Sequence, residues 1–372
     1  MKRIGITGQN GFVGSHLYNT LGLKPEQFER INFERSFFED SEKLDEFVKQ
    51  CDVIVHLAAM NRHPDPEVIF NNNIDLVKSL VASLDRTGSK AHILFSSSSQ
   101  EEKDNLYGKS KKEGRTLFAE WAERSGGKFS GLIIPNVFGP FGKPNYNSFI
   151  ATFCYKLTHG ESPVIDNDGQ VKLIYVGELV QEIISKIEAA QTQDLYEVPH
   201  TSENKVSEVL SKLENYRNLY FENGEIPELA TTFDLNLFNT FRCYFEIKDH
   251  YPVKFTQHVD PRGAFVEVIR LGIGGQCSFS TTVPGITRGN HFHTRKIERF
   301  AVIKGKALIQ LRKIDTDEVL DFYLDGNEPA YVDMPIWYTH NIKNIGEEEL
   351  YTIFWINEPF NAEDADTYFL EV

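Results

Sequence analysis

The 372-residue sequence contains only four cysteines, Cys51, Cys154, Cys243 and Cys277, and none forms a CxxC pair. That spacing excludes a zinc ribbon and a disulfide framework, and it reads as reduced thiols in a cytoplasmic protein. No stretch approaches the ~20 consecutive apolar residues a membrane helix needs. The opening MKRIGITGQNG runs straight into a strand and a glycine turn, with no apolar signal core. Positive charge is also scarce, with 39 Lys+Arg against 54 Asp+Glu and a net charge of -15. Such a balance keeps the chain soluble and repels phosphate backbones and anionic lipid, so nucleic acid and membrane are excluded as main partners. Internal repeats and low-complexity segments are missing too. A chain of this length therefore reads as two or three ordinary domains.

Two periodicities divide the chain. In the first half, strand-like runs (RIGIT, CDVIVHLAA, AHILFSS, FSGLII) alternate with helical patterns such as SEKLDEFVKQ, NIDLVKSLVASLD and KSKKEGRTLFAEWAERSG. This alternation predicts a parallel sheet with helices on both faces. Residues 140–240 are mixed, with three further helical stretches. After residue 245 the helical period stops, and short runs including CSFSTTV, RFAVIKG, KALIQLRK and LYTIFWI predict an all-β sandwich or barrel. The boundary falls near residues 243–252, giving an α/β domain over 1–246, with a subdomain within about 140–240, and a β domain over 247–372.

After RIGIT comes TGQNGFVGSHL, with Gly8, Gly11 and Gly14 spaced as GxxGxxG. Residues without a Cβ let the backbone bend tightly and approach a pyrophosphate, and the following helix N-terminus faces the anion. HLAA, residues 56–59, ends a later strand where an adenine or ribose would lie. In YGKSK, Tyr107 and Lys111 are four apart at a predicted helix start and share one face. A phenol with an ordinary pKa near ~10 exchanges protons near neutrality only with help, and a lysine cation supplies it. Upstream stands SSSS, Ser96 to Ser99, where a hydroxyl can hold a substrate carbonyl.

With PNVFGP at residues 135–140 and the stretch GESPVIDNDGQVKLIYVGELV, these elements resemble the extended short-chain dehydrogenase/reductase family. The resemblance implies a Rossmann-type doubly wound sheet and a nicotinamide cofactor held by Gly8, Gly11, Phe12, Val13, Gly14, Arg35, Leu57, Ala58, Ala59, Tyr107, Lys111 and Asn136. It also implies that Tyr107 exchanges a proton with the C4 oxygen of a nucleotide sugar, that Lys111 holds the nicotinamide ribose and lowers the tyrosine pKa, and that Ser98 orients the substrate. Only eight residues separate Ser98 from Tyr107, which leaves Ser97 as an alternative. Glu34 and Arg35 are adjacent where the second strand should end: an acid there favours NAD, an arginine NADP. The reading taken is NADPH.

GITRGNHFHTRKIERFAVIKG holds a second constellation. His291 and His293 lie on one face of a strand, and Glu298 on the next element can join them. Imidazoles and a carboxylate suit zinc, iron, manganese or nickel. His340, in MPIWYTHNIKN, offers a fourth ligand. Gly285, His291, His293, Glu298 and Gly305 match the cupin pattern GX5HXHX4EX6G, and the segment resembles that family. The second cupin motif is imperfect, because Trp337 and Pro329 stand where glycines are expected. The metal either takes part in chemistry or only pins loops of the barrel.

QHVDPRGAFVEVIR, before the motif, resembles the DxRGxFxE stretch of cupin sugar epimerases. A C4 ketone acidifies the C3 proton, so a base can remove it and reprotonate the other face, and a metal can polarise the ketone. Reductase and cupin together resemble the bifunctional enzymes of capsule and O-antigen pathways. That resemblance implies zinc, a homodimer, and a UDP-linked 4-keto deoxy-N-acetylaminosugar that is epimerised at C3 and reduced at C4. Candidates for the C3 base are His258, Tyr338, Lys296 and Asp260. Arg262 is a candidate for the diphosphate.

Overall fold

The structure, a computed structural model, describes residues 1–261 and 263–372. It forms two compact units: Met1–Thr152 with Ile165–Ser207, and Phe153–Val164 with Glu208–Val372.

The first unit is built on a six-stranded, all-parallel sheet. Its strands are β1 (Lys2–Thr7), β2 (Phe28–Ile31), β3 (Val53–His56), β4 (His92–Ser98), β5 (Lys128–Ile134) and a sixth, Gln193–Glu197, in the spatial order β2, β1, β3, β4, β5, sixth. Every residue of β3 is buried, as a strand covered on both faces requires. On one face Leu17 and Leu21 of the Phe12–Gly22 helix and Leu179, Ile183 and Ile187 of the Val176–Ala189 helix pack against Ile4, Ile6 and Val55. On the other, Leu44, Phe47, Val77 and Phe118 pack against Ile54, Ile93 and Phe95. Helix starts follow local chemistry. Asp40 accepts from the N–H groups of Glu42 and Lys43, and Asp65 caps a helix that opens with Pro66. The parallel order brings Thr7, His56 and Ser98 to the carboxyl ends of neighbouring strands, where open α/β sheets place ligands.

The second unit carries two five-stranded antiparallel sheets. One contains Val253–Lys254, Ala330–Met334, Glu298–Lys304, Leu350–Ile356 and Gln276–Thr282, in that spatial order. The other contains Val319–Asp325, Lys306–Lys313, Tyr338–Asn344, Thr287–Phe292 and Tyr368–Phe369. This is an all-β, cupin-like arrangement. Helical residues 208–250 pack with these sheets: Tyr220 donates to Asp333 at 2.7 Å, and Asp333 pairs with Arg299 at 2.7 Å with both side chains buried. The sequence pattern puts the division at 246/247, while the last helix runs over Ile247–His250. Packing instead places the helices after Ser207 with the barrel.

Candidate active site and metal centre

In the first unit, a cleft of about 490 Å³ opens over the glycine turn. It is lined by Gly8, Gly11, Arg35, Ala58, Ala59 and Tyr146, among others. The turn is tight because a Cβ at Gly14 would stand 2.1 Å from the carbonyl oxygen of Gly8. Phe12 and Val13 open the helix behind the turn, and Val13 and Leu57 pack into the core beneath it. Phe12, Val13, Gly14, Leu57, Tyr107, Lys111 and Asn136 are not among the residues lining the cleft, and the Asn136 side chain donates to the Lys172 carbonyl at 3.3 Å. β2 ends at Ile31, three residues before Glu34, so Asn32 and Phe33 follow the strand and Arg35 starts a short 3-10 turn. Arg35 lines the cleft, whereas Glu34 accepts from the Ser36 hydroxyl at 3.4 Å.

The serines of the run take different partners. Ser96 donates to the His56 carbonyl at 3.2 Å, and Ser97 donates to buried Glu101, which Arg115 grips at 2.8 Å. Ser98 accepts from the N–H of Gln100 at 3.2 Å. The short link from Ser98 to Tyr107 closes because Gly108 has no side chain: a Cβ there would lie 2.1 Å from the Gln100 carbonyl. Asn105 caps the helix that carries Tyr107, accepting from the Gly108 N–H at 2.7 Å.

Burial, reinforced by Tyr146, pushes the Tyr107 phenol up to about 12, against a lowering contribution from Ser98. The resemblance implied a tyrosine pKa lowered by Lys111; here burial dominates, and the phenol stays protonated. Lys111 is buried, donates to the Ser96 carbonyl at 2.8 Å and lies 5.8 Å from the Tyr107 ring centre. Burial lowers its ammonium to about 8, opposed by Glu101. The unit thus gathers a phenol able to donate a proton, a neighbouring hydroxyl and a cation that is still charged at neutral pH.

Asn73 belongs to the same assembly and was not singled out by sequence. Its side chain accepts from the Met60 N–H at 2.7 Å and donates to the Ser110 hydroxyl at 3.2 Å. It joins the loop after Ala59 to the Tyr107 helix, and its only signal was a polar residue on the apolar stripe of the Pro66–Thr87 helix.

In the second unit, His291, His293, Glu298 and His340 offer ligand atoms that lie within 4.8 Å of one another. The three histidine Nε2 atoms stand 3.9, 3.2 and 3.2 Å from a single oxygen, Glu298 Oε2. A carbonyl only accepts, so the contacts of His293 Nδ1 with Asp366 O at 2.5 Å and of His340 Nδ1 with Tyr338 O at 3.2 Å make these nitrogens N–H donors. Both Nε2 lone pairs then face a carboxylate, and buried His340 Nε2 has no hydrogen-bond partner. Lone pairs converging on an anion call for a cation between them, so the donor set fits a divalent metal with N/O preference. Burial would raise the Glu298 carboxyl, but an imidazole that takes up a proton at His293 or His340 in place of a cation holds it well below the usual range. Burial and the neighbouring His340 lower His291 to about 4, which keeps it a neutral donor at physiological pH.

Trp337, where the cupin pattern has glycine, adopts the left-handed conformation that glycine would supply, with φ 63°. Its N–H donates to the His293 carbonyl at 2.8 Å, and its ring stacks on Phe292 at 5.8 Å. The turn is therefore kept despite the substitution. Among the base candidates, Lys296 is buried and donates to the Ala365 carbonyl at 2.7 Å. Tyr338, two residues from His340, shares its face of the strand, and burial raises its phenol. His258 and Asp260 are exposed on a separate hairpin, and Arg262 lies outside the described residues. No described helix is long and apolar enough to cross a membrane.

Residues 4–198 match the model of the NAD dependent epimerase/dehydratase family, and residues 258–368 match the polysaccharide biosynthesis C-terminal domain. A UDP-2-acetamido-2,6-beta-L-arabino-hexul-4-ose reductase of Pseudomonas aeruginosa is 31% identical over 98% of this chain and 97% of its own. The crystal structure of the capsular polysaccharide assembling protein CapF from Staphylococcus aureus covers 100% of both chains at 36% identity, with a TM-score of 0.62. The spore coat polysaccharide biosynthesis protein SpsL of Bacillus subtilis is 26% identical over 30% of this chain and 82% of its own. With its glycine turn, its Tyr107–Lys111 pair and a match over more than half its length, the chain belongs to the NAD dependent epimerase/dehydratase family.

Proposed function

We propose that the chain is a bifunctional nucleotide-sugar enzyme of capsule or O-antigen synthesis. Its cupin-like unit epimerises C3 of a UDP-2-acetamido-2,6-dideoxy-4-hexulose. Its N-terminal unit reduces the C4 ketone with NADPH to a UDP-2-acetamido-2,6-dideoxy-L-talose, on the route to UDP-N-acetyl-L-fucosamine. The observation that carries the reading is the pairing of a half-buried tyrosine beside a buried lysine in one unit with three imidazoles and a carboxylate gathered in the other. Both sets suit work on one ketone: C3 can be inverted only while C4 is a carbonyl, and reduction ends that stage. The likeness to a named 4-hexulose reductase over nearly the whole chain supports the substrate class.

In the reduction, Ser98 and Tyr107 hydrogen-bond the C4 oxygen, and Tyr107 gives it a proton as Lys111 stabilises the phenolate left behind. Bound NADPH supplies the hydride. In the epimerisation, a divalent cation held in the cupin-like unit, zinc in this reading, would supply the Lewis acidity that polarises the ketone. His291, His293, Glu298 and His340 would hold that cation, and the burial of His293, Glu298 and His340 limits competition from water there. The homodimer that the resemblance implies is part of the same proposal.

The test is C3 hydrogen exchange on the 4-keto UDP-sugar in deuterated water, with protein and no NADPH. Deuterium at C3 is expected. No incorporation by a protein that still oxidises NADPH would leave a reductase with an accessory barrel.

Arg35 carries the cofactor preference. Its guanidinium lines the cleft with no acid following β2 directly, which suits a 2′-phosphate. Replacing it with alanine is expected to raise the KM for NADPH about 10- to 100-fold, the value of a charge-assisted contact, and to change that for NADH little. Steady-state kinetics with both cofactors check this, and equal effects on the two would remove Arg35 from the role.

A further inference from the structure

The turn between His293 and Glu298 is held by a residue from the far end of the chain. Asp366 is 5% exposed and sits 73 residues from His293. Its Oδ1 accepts from the Thr294 N–H at 3.0 Å and the Thr294 hydroxyl at 2.6 Å. Its Oδ2 accepts from the N–H groups of Arg295 and Lys296, both at 3.0 Å. Three consecutive backbone donors thus converge on one carboxylate, an anion-holding arrangement that fixes the turn. The carbonyl of the same residue takes the Nδ1 hydrogen of His293 and sets which imidazole nitrogen faces Glu298.

The segment around Asp366 is tied down on both sides. Lys296 donates to the Ala365 carbonyl, and Arg295 pairs with Asp364 at 2.8 Å. Beyond it, Tyr368–Phe369 pairs with the histidine strand, with Phe369 opposite His291 and Tyr368 opposite Phe292, and the Leu370 N–H donates to the Asn290 carbonyl at 3.0 Å. The C-terminal segment is therefore the outer support of a site whose ligands all lie earlier in the chain.

We infer that Asp366 is a positioning residue for the metal centre: its carboxylate holds the 294–296 turn and so aims its own carbonyl, and through it His293, at the position the cation takes. The inference rests on the metal reading proposed above. Outer partners that orient a ligating imidazole change metal affinity by about 10- to 100-fold in other sites.

The test uses the full chain, stripped with a chelator and titrated with Co2+, whose visible bands report ligand geometry. Affinity is read by competition with a chromophoric chelator. Asp366→Ala removes the carboxylate anchor and leaves the backbone carbonyl in the chain. It is expected to weaken Co2+ about 10- to 100-fold and to alter the band intensities. Asp366→Asn keeps one acceptor and tolerates the left-handed backbone found here, φ 40°, so it should fold and show an intermediate loss. Wild-type affinity and an unchanged Co2+ spectrum in folded Asp366→Asn and Asp366→Ala would overturn the inference. Failure of the wild-type chain to bind Co2+ at all would overturn the metal reading itself, and with it the role of Asp366.

Discussion

Replacing Tyr107 with phenylalanine is expected to lower kcat for NADPH-dependent reduction by about three orders of magnitude, within the range a positioned general acid contributes. The ring stays, so its packing and the helix start at Asn105 are retained; only the hydroxyl is removed. Cofactor binding should therefore change little, and C3 exchange, assigned to the other unit, should persist. Reduction by the parent protein should also fall on the alkaline side. Lys111 carries its charge below about 8 and loses it above, and the phenolate left by proton transfer then lacks its cation. The phenol itself, pushed up to about 12, stays protonated through that range and does not set the limb. A Tyr107→Phe enzyme that still oxidises NADPH at the parent rate would remove the tyrosine from the chemistry.

Much of the first unit is legible in sequence because its signals are local. SEKLDEFVKQ coincides with the helix Ser41–Gln50, since the Asp40 cap and the apolar positions 44, 47 and 48 lie within one segment. β2 is harder to read: FERI buries only its two ends, and its middle residues are charged and exposed. Ser96 to Ser99 are identical in sequence, and the register of β4 with the turn after it decides which partner each hydroxyl takes. Glu34 and Arg35 are adjacent, and only the course of the chain after β2 sends the arginine to the cleft.

In the second unit the difficulty is of another kind. TRGNHF and YTHNIKN are strands whose inward positions carry imidazoles where apolar residues would mark a core, so hydrophobic alternation misses them and ligand spacing finds them. Asp366 has no local signature at all. Its partners are backbone N–H groups some 70 residues away, and those groups carry no residue identity. The turn at Trp337 shows the converse. A glycine position was filled by tryptophan without loss of the left-handed conformation, because the Phe292 ring and the His293 carbonyl hold it there.

Replacing Glu298 with glutamine is expected to abolish C3 exchange to background while NADPH oxidation continues. The carboxylate is the only anion among the four ligands, and its Oε2 is the point on which the three imidazoles converge. An amide of nearly the same shape removes the charge that offsets a buried dication, so metal affinity should fall by more than the ~100-fold that outer partners control. Without added metal, the variant should fold at least as well as the parent. The parent buries an anion against imidazole lone pairs, and the amide relieves that opposition by offering N–H donors to them. With metal the order reverses: a saturating cation at 100 times its Kd adds about 2.7 kcal/mol to the parent and almost nothing to the variant. Thermal melting with and without zinc, run beside deuterium incorporation at C3, separates the two possible roles of the cluster. If exchange disappears together with the zinc-dependent rise in melting temperature, the ligand set serves the epimerisation. If the zinc-dependent rise disappears and exchange survives, the metal only pins the barrel, and the C3 proton is removed by residues that do not need it.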